Sequence, residues 1–343
     1  MTDTLVAGTY VAAARNLAPA LTADAARVEV SGVTRADLQP LADAGLYGVY
    51  APGAAEPAEQ REVAEVLAGA SPEVWFLWFQ HGPVLKMTSS TENAALRAAH
   101  LDGLVSGATQ GGVSYSHLRT PVPSITGVRD GEDYLLSGSQ PWVTGWGLND
   151  LILVGASVPE TGEVVFGLLP SGDAPGVRSL GELPLASMGA TSTHRVAYDS
   201  YRLTAANVLN RLPLKDFLAV DALSNTNVQP STFGIALAAL DLLQDRDLDT
   251  ASVLRRRVLD VRARSYRLLD EVPFHEQTEE RLALRAQAIV LGIQATTALL
   301  TASGGQGMGL SHPAQRLLRA AAFQVVHSQA TGIKAATLAA LRA

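Results

Sequence analysis

Two tryptophans and a threonine fall within one short stretch of this 343-residue chain. The stretch reads Pro-Trp-Val-Thr-Gly-Trp-Gly over residues 141–147 and follows a hairpin-like run over residues 133–138. The indole of Trp142, the hydroxyl of Thr144 and exposed backbone amides could together bind a planar, hydrogen-bonding cofactor such as a flavin. A β-turn with a packing tryptophan would have the same pattern, so both interpretations stay open at this point.

The composition excludes several classes of site. The chain has no cysteine, so disulfides, thiolate catalysis, zinc–cysteine sites and iron–sulfur clusters are excluded. The formal net charge of −7 argues against a nucleic-acid partner, and no metal site is expected. Residues 1–17 lack the pattern of a signal peptide, and the apolar residues 74–79 are too few to span a bilayer. We therefore expect a cytoplasmic protein without a membrane span.

The chain divides into three zones by hydrophobic periodicity. Residues 1–108 are predicted to form a helical domain, with a helix that begins after Thr34, a break at Gly82 and Pro83, and a capping box over residues 89–92. Residues 109–208 have short β-branched runs punctuated by glycine, which predicts a small β-barrel or sandwich domain. Two of its strands are predicted over residues 151–158 and 163–169.

Residues 209–343 return to a helical period. Long segments with a 3.6-residue repeat predict four helices over residues 233–243, 253–269, 281–302 and 314–341, which favours an antiparallel four-helix bundle. The fold class expected from the three zones is α+β, mostly α.

This order of domains resembles the acyl-CoA dehydrogenase superfamily. The segment over residues 131–145 is similar to the family's G-(D/E)-x-Y…W-(I/V)-(T/S) motif. Three further segments, residues 185–193, 201–209 and 304–319, resemble family segments in the same order along the chain. The resemblance covers nearly the whole chain and implies FAD as the cofactor.

The resemblance implies roles for residues in the first two matching zones. It makes Trp142, Val143 and Thr144 flavin contacts, with Trp142 against the ring and Thr144 near its N5 and O4 side. Ser114 and Ser116 stand in the family's flavin-binding loop and are predicted hydrogen-bond donors to the cofactor, although the loop's usual Glu, Pro and Asp are absent. His117 in that loop is a candidate substrate contact, and a histidine satisfied within the loop is the alternative.

The glycine turn near the C-terminus is the third implied cofactor site. In the family, the turn that Gly304, Gly305 and Gly307 match approaches a cofactor held mainly by another subunit. A turn that only ends a helix would also use glycine. The resemblance therefore implies a homodimer or homotetramer, and an electron-transfer partner that takes electrons from the flavin.

The catalytic base is the point at which the chain leaves the family pattern. Ser328 stands where many family members have a glutamate, and no acidic residue follows Arg319. A second branch of the family places the base near residue 224, where Asp221 is the nearest carboxylate. Monooxygenases of the same fold have a histidine eight residues after the arginine, and His327 has that spacing. Asp221 and His327 are therefore the two catalytic candidates.

Three functions follow from these observations. The leading hypothesis is an FAD-dependent oxidoreductase that acts on the Cα–Cβ bond of an acyl thioester or related small molecule. The first alternative is a flavin-dependent monooxygenase that uses reduced flavin and O2, with His327 near the flavin. The second alternative is a non-catalytic paralogue that serves as a partner subunit.

Overall fold

The computed structural model describes residues 8–342 and confirms the predicted class, α+β and mostly α. In the described part of the chain, five α-helices precede the first strand: α1 (Thr9–Ser31), α2 (Arg35–Asp43), α3 (Pro57–Ala70), α4 (Pro72–Ser90) and α5 (Ala94–Ser106). The predicted start of α2 is confirmed. The carboxylate of Asp37 accepts the backbone N–H of Thr34 at 2.7 Å, which satisfies a donor at the helix N-terminus.

Two predicted helix boundaries in this region are wrong. α4 runs without a break through Gly82 and Pro83, because this helix is held by packing on both sides rather than by local propensity. α4 also includes Ser89 and Ser90, so the predicted capping box does not exist. The N-cap of α5 is Asn93, whose side chain accepts the backbone N–H of Leu96 at 3.1 Å.

Within residues 8–342, eight strands form one hydrogen-bonded sheet. They are β1 (Gly111–Ser114), β2 (Ile125–Asp130), β3 (Asp133–Val143), β4 (Leu151–Val158), β5 (Glu163–Pro170), β6 (Val177–Glu182), β7 (His194–Leu203) and β8 (Val208–Pro213). The order is β6-β7-β3-β2-β4-β5-β8, and β1 pairs with β4 in parallel. The predicted strands over residues 151–158 and 163–169 are confirmed. The sheet ends at Pro213, five residues after the predicted boundary at 208.

The C-terminal region contains α6 (Leu214–Ser224), α7 (Pro230–Gln244), α8 (Leu248–Glu271), α9 (Thr278–Ser303), α10 (Pro313–Val326) and α11 (Thr331–Ala340). The first three predicted long helices correspond to α7, α8 and α9. The fourth, predicted over residues 314–341, is two helices, because the chain leaves the helical conformation at His327. Ser328, the next residue, has a φ of 51°.

The main core joins the N-terminal helices to α7, α8, α9 and α10. At its centre α3 crosses α7 so closely that a Cβ on Gly234 would lie 2.1 Å from the carbonyl oxygen of Glu65. α4 contacts both parts of the molecule. Its first turns contribute Trp75 and Phe76 to the helical core, and Val84 and Leu85 pack in a cluster shared with the sheet.

Within residues 8–342, one helical stretch, Thr278–Met308, is long and apolar enough to meet the composition of a membrane span. This stretch is α9 and the turn that follows it, and α9 packs against α7, α8, α10 and α11. A core helix has the same composition, so the stretch is weak evidence for a membrane span.

Candidate functional site

A cavity of about 1240 Å³ lies where the sheet, α4, α6 and α10 meet. Its wall includes Phe76 and Phe79 of α4, Trp142 of β3, and Phe323 and His327 at the end of α10. Pockets for drug-sized ligands have volumes of roughly 300–1,000 Å³. The cavity therefore has room for a larger ligand, or for two ligands side by side.

Six of the residues singled out in the sequence line this cavity: Ser116, His117, Trp142, Thr144, Asp221 and His327. The other five do not. The side chain of Val143 is fully buried in the sheet core, so it does not reach the cavity. The hydroxyl of Ser114 is also buried and lies 3.1 Å from the hydroxyl of Tyr198. Gly304, Gly305 and Gly307 form a separate turn after α9.

The turn after β3 determines the position of Trp142 and Thr144. Gly145 adopts a φ of 75°, and its N–H donates to the carbonyl of Thr191 at 2.9 Å. A Cβ at this glycine would lie 2.2 Å from the side-chain amide nitrogen of Asn149, so only glycine fits. The indole of Trp142 is 53% exposed, whereas Trp146 is buried in the sheet core.

A chain of three buried hydroxyls begins at Thr144. Its Oγ1 lies 3.0 Å from Oγ1 of Thr193, which lies 3.0 Å from Oγ1 of Thr191. The hydroxyl of Thr191 donates to the carbonyl of Met188 at 2.8 Å. Thr144 and Thr193 line the cavity and Thr191 lies behind them. Thr193 is a site residue that the sequence did not reveal, because it lies 49 positions from Thr144.

Ser116 is paired with Gln140, a second residue that the sequence did not single out. The side-chain amide of Gln140 donates to Oγ of Ser116 at 2.5 Å and to the carbonyl of Trp142 at 3.3 Å. The carbonyl oxygen of this side chain, Oε1, is buried and has no hydrogen-bond partner within residues 8–342. The pair therefore leaves an acceptor on Gln140 and the hydroxyl proton of Ser116 for other partners.

Both ring nitrogens of His117 are occupied by the backbone. Nε2 lies 2.9 Å from the carbonyl of Gly155, and Nδ1 accepts the N–H of Ser124 at 3.2 Å. Burial lowers the pKa of His117, against an opposing hydrogen bond to Gly155, which favours a neutral ring. His117 therefore braces the loop against the sheet and has no free nitrogen for a substrate.

Asp221 is held by Arg119 in a bidentate ion pair. Nε and Nη2 of Arg119 donate to the two carboxylate oxygens at 2.7 and 2.8 Å. The side chains of the arginine and the aspartate are 24% and 13% exposed. Burial acts to lower the pKa of Arg119, but the hydrogen bond and the charge of Asp221 raise it overall. Asp221 is the only carboxylate in the cavity wall as far as the described chain extends.

His327 lies in an aromatic cage at the C-terminal end of α10. Its ring stacks on Phe323 at 4.9 Å and meets the edges of Trp75, Phe76 and Phe79 at 5.4–5.8 Å between centroids. The carbonyl of His327 accepts a hydrogen bond from the buried Arg285 at 2.8 Å. Nδ1 of His327 is buried, and none of the described residues bonds to it.

The charge state of His327 follows from this cage. Burial, together with the positive charges of Arg285 and Arg119, lowers the pKa of His327 to about 3. The imidazole is therefore neutral at physiological pH. A neutral imidazole can accept or donate one hydrogen bond in the cavity, but it is a weak base.

Strained backbone occurs at two places in the cavity wall. Met188 has a φ of 57° and Ser328 a φ of 51°, although neither is a glycine. Residues in the left-handed region cost free energy and occur preferentially at functional sites.

No protein-family model matches the chain, and no curated protein matches it. Solved structures match over almost its whole length. Butyryl-CoA dehydrogenase from Megasphaera elsdenii is 16% identical, with a TM-score of 0.79 and 100% of both chains covered. The chain has the acyl-CoA dehydrogenase fold.

Other proteins with this fold extend the comparison. A glutaryl-CoA dehydrogenase from Mycobacterium smegmatis, solved in complex with FADH2, is 16% identical with a TM-score of 0.80, over 97% of this chain and 93% of that chain. The flavoprotein nitroalkane oxidase is 16% identical with a TM-score of 0.78, over 100% of this chain and 97% of that chain. Proteins of the acyl-CoA dehydrogenase fold thus include more than one activity.

The glycine turn lies at the surface of this acyl-CoA dehydrogenase fold. Gly304 has a φ of 60°, and a Cβ on Gly304 or Gly305 would meet nothing within 4 Å. Close packing against the described residues therefore does not explain these two glycines. Met308 and Leu310, which follow the turn, are 63% and 69% exposed.

Proposed function

We propose that this chain binds FAD in the cavity and acts as a flavin-dependent oxidoreductase. The observation that supports the proposal most is the shared wall in which Trp142, Thr144 and Ser116 line one cavity with His327. An isoalloxazine ring needs an aromatic or apolar plane and hydrogen-bond partners along its edge. The indole of Trp142 provides the plane, and the two hydroxyls provide partners.

The polar groups of the cavity fit such a ring. Oε1 of Gln140 is a buried acceptor without a partner in the described part of the chain, and an N–H at the edge of a flavin could satisfy it if the side chain turns toward the cavity. In the proposal Trp142 holds the face of the ring, Thr144 its N5 and O4 side, and Ser116 a further edge. When bound, the flavin supplies the exchange of electrons or hydride with the substrate.

The first candidate reaction is the oxidation of the Cα–Cβ bond of an acyl thioester. That reaction needs a base for the α-proton. Asp221 is the carboxylate available in the cavity, and both of its oxygens are bound to Arg119. We therefore propose that Asp221 accepts the α-proton on a lone pair that Arg119 leaves free, or after substrate binding opens this ion pair.

The second candidate reaction is oxygenation by reduced flavin and O2, and the environment of His327 favours it. The imidazole is neutral and lines the cavity, and none of the described residues hydrogen-bonds to its two ring nitrogens, of which Nδ1 is buried. Such a ring can hydrogen-bond to a hydroxyl of a phenolic or similar substrate without bringing a positive charge into the cavity. This role needs no carboxylate base.

The turn after α9 carries the proposal about partners of the protein. The exposed Gly304 and Gly305, with the exposed Met308 and Leu310 after them, support a homodimer or homotetramer in which this turn approaches a neighbour's cofactor. Gly307, the third predicted glycine, is buried against Leu300. An electron-transfer partner is proposed for the dehydrogenase reaction only. Localisation in the cytoplasm remains a prediction from the sequence.

The absorption spectrum of the purified protein with added FAD tests the proposal. We expect bound flavin. Anaerobic bleaching by one of a panel of acyl-CoA thioesters would support dehydrogenation, and a requirement for added reductant and O2 would support oxygenation. Asp221→Asn is expected to abolish bleaching by the thioester and to leave bleaching by dithionite unchanged. A protein that binds no FAD would contradict both reactions and favour the non-catalytic partner subunit.

A further inference from the structure

The hydroxyl chain behind the cavity has a fixed direction of hydrogen bonding. Each threonine hydroxyl has one proton to donate. The proton of Thr191 is committed to the carbonyl of Met188, because this carbonyl cannot donate. The bond between Thr191 and Thr193 must therefore be donated by Thr193, and the bond between Thr193 and Thr144 must be donated by Thr144.

This direction determines what the cavity offers at Thr144. With all three bonds made, the protons of Thr144 and Thr193 point away from the cavity, toward Thr191. Only lone pairs of the two oxygens remain for a ligand. A ligand acceptor could bind the Thr144 proton only by breaking its bond to Thr193, which would leave two oxygens 3.0 Å apart without a proton between them. The cavity therefore favours an N–H or O–H donor at this point.

We infer that this hydroxyl chain makes the cavity select the reduced flavin over the oxidised flavin. The inference rests on the proposed function, in which Thr144 contacts the N5 side of the ring. N5 of an oxidised isoalloxazine is an acceptor, whereas N5 of the reduced ring carries a hydrogen and donates. Thr191 is the positioning residue, since it is fully buried and does not line the cavity, and its hydroxyl acts through Thr193 and through the carbonyl of Met188.

The test measures dissociation constants for oxidised FAD and for dithionite-reduced FAD under anaerobic conditions. In Thr191→Val, Thr193 loses its acceptor and can donate to Thr144, so the proton of Thr144 becomes available to the cavity. We expect the ratio of the oxidised to the reduced dissociation constant to fall by between about twofold and about tenfold, the range for one hydrogen bond. A tenfold fall corresponds to a decrease of about 30 mV in the two-electron potential.

Thr191→Ser is the matched control, because serine keeps the hydroxyl that accepts from Thr193. It is expected to preserve the wild-type ratio. An unchanged ratio in Thr191→Val, or an equal change in Thr191→Ser, would overturn the inference while leaving flavin binding intact. Absence of binding to either form of FAD in the wild type would instead refute the proposed function. Thermal unfolding without flavin checks that each variant is folded.

Discussion

At the scale of single residues, His327 shows how an environment can remove a charge. A histidine in water has a pKa near 6.5, whereas the aromatic cage and two guanidinium groups lower the pKa of His327 to about 3. The spacing from Arg319 could be read in the sequence, but the cage could not, because Trp75, Phe76 and Phe79 lie about 250 positions away on α4. A role that needs an imidazolium cation at neutral pH is therefore incompatible with this site.

The lowered pKa predicts a loss of stability in acid. Between pH 6.5 and 3 the unfolded chain binds a proton at residue 327 that the folded chain does not, so the free energy of unfolding falls as the pH falls. His327→Gln is expected to reduce this slope by about 1.4 kcal/mol per pH unit. Some slope remains, since burial also lowers the pKa of His81 to about 4.

Urea unfolding of wild type and variant between pH 4 and 7 measures the difference. His275→Gln is the control, because the side chain of His275 is 62% exposed, and it should keep the wild-type slope. Parallel wild-type and His327→Gln profiles would show that the ring is not buried as described.

At the scale of elements, the contact between α3 and α7 depends on two facing glycines. A Cβ on Gly69 would lie 2.9 Å from the carbonyl oxygen of Gly234. Alanine in place of glycine normally stabilises a helix by about 0.5–1 kcal/mol. At Gly234 the added Cβ would lie 2.1 Å from a backbone oxygen of α3, so the two helices would have to separate. We expect Gly234→Ala to lower the free energy of unfolding by about 1–3 kcal/mol.

Chemical denaturation checks this expectation. Gly305→Ala is the matched control, because an added Cβ there meets nothing within 4 Å, and it should leave stability nearly unchanged. Equal stabilities for the two variants would mean that α3 and α7 do not approach as closely as described.

A buried acid, Glu73, lies where three helices meet. Glu73 of α4 is 3% exposed and lies near Glu29 of α1, which is paired with Arg319 of α10. Burial and the interaction with Glu29 raise the pKa of Glu73 to about 8. Between pH 4.5 and 8 the folded protein thus holds a proton that the unfolded chain has released, and stability decreases as the pH rises through this range.

We expect Glu73→Gln to remove this decrease, so that its advantage over wild type grows with pH up to about 8. The measurement is the difference in free energy of unfolding between variant and wild type from pH 6 to 9. Glu132→Gln, in which the replaced side chain is 77% exposed, should show no such trend. A constant difference for Glu73→Gln would argue that Glu73 is ionised throughout this range.

At the scale of the whole molecule, the order of the elements was predictable and the inner surface of the site was not. The period of the hydrophobic residues distinguishes helical zones from the sheet, and the three zones predicted from it are present in the structure. The predicted helix break at Pro83 is wrong, because packing on both faces keeps α4 helical. The prediction of one long last helix is wrong, because Arg285 binds the carbonyl of His327 where α10 ends. Nothing near residue 327 in the sequence encodes that contact.

Two predicted site residues, Val143 and Ser114, lie outside the cavity wall because of the direction of their side chains. Val143 and Thr144 are neighbours at the end of a strand, so one side chain enters the sheet core while the other faces the cavity. Ser114 ends β1 with its side chain toward Tyr198, whereas Ser116 begins a helical turn and reaches the cavity. A motif match locates such residues along the chain but does not give their orientation.

Binding of FAD should stabilise the whole molecule. A ligand at 100 times its dissociation constant adds about 2.7 kcal/mol to the free energy of unfolding, which raises the melting temperature. We expect Trp142→Ala to weaken FAD binding about tenfold and to reduce this rise, because the aromatic contact is lost. The melting temperature without FAD should change little, since the indole is already 53% exposed.

Differential scanning calorimetry with and without FAD measures the effect. Val128→Ala is the control, because Val128 is 61% exposed on β2 and lies outside the cavity wall. A full FAD-dependent rise in Trp142→Ala would remove Trp142 from the proposed flavin site.

The proline inside α4 has a consequence for motion. Proline has no amide hydrogen, so the carbonyl of Phe79, four residues earlier, lacks the usual helical donor. Phe79 and Pro83 both line the cavity. The backbone hydrogen bonding of α4 is therefore interrupted where the helix borders the cavity. We expect hydrogen exchange of the amides in the two halves of α4 to show two segments that open separately.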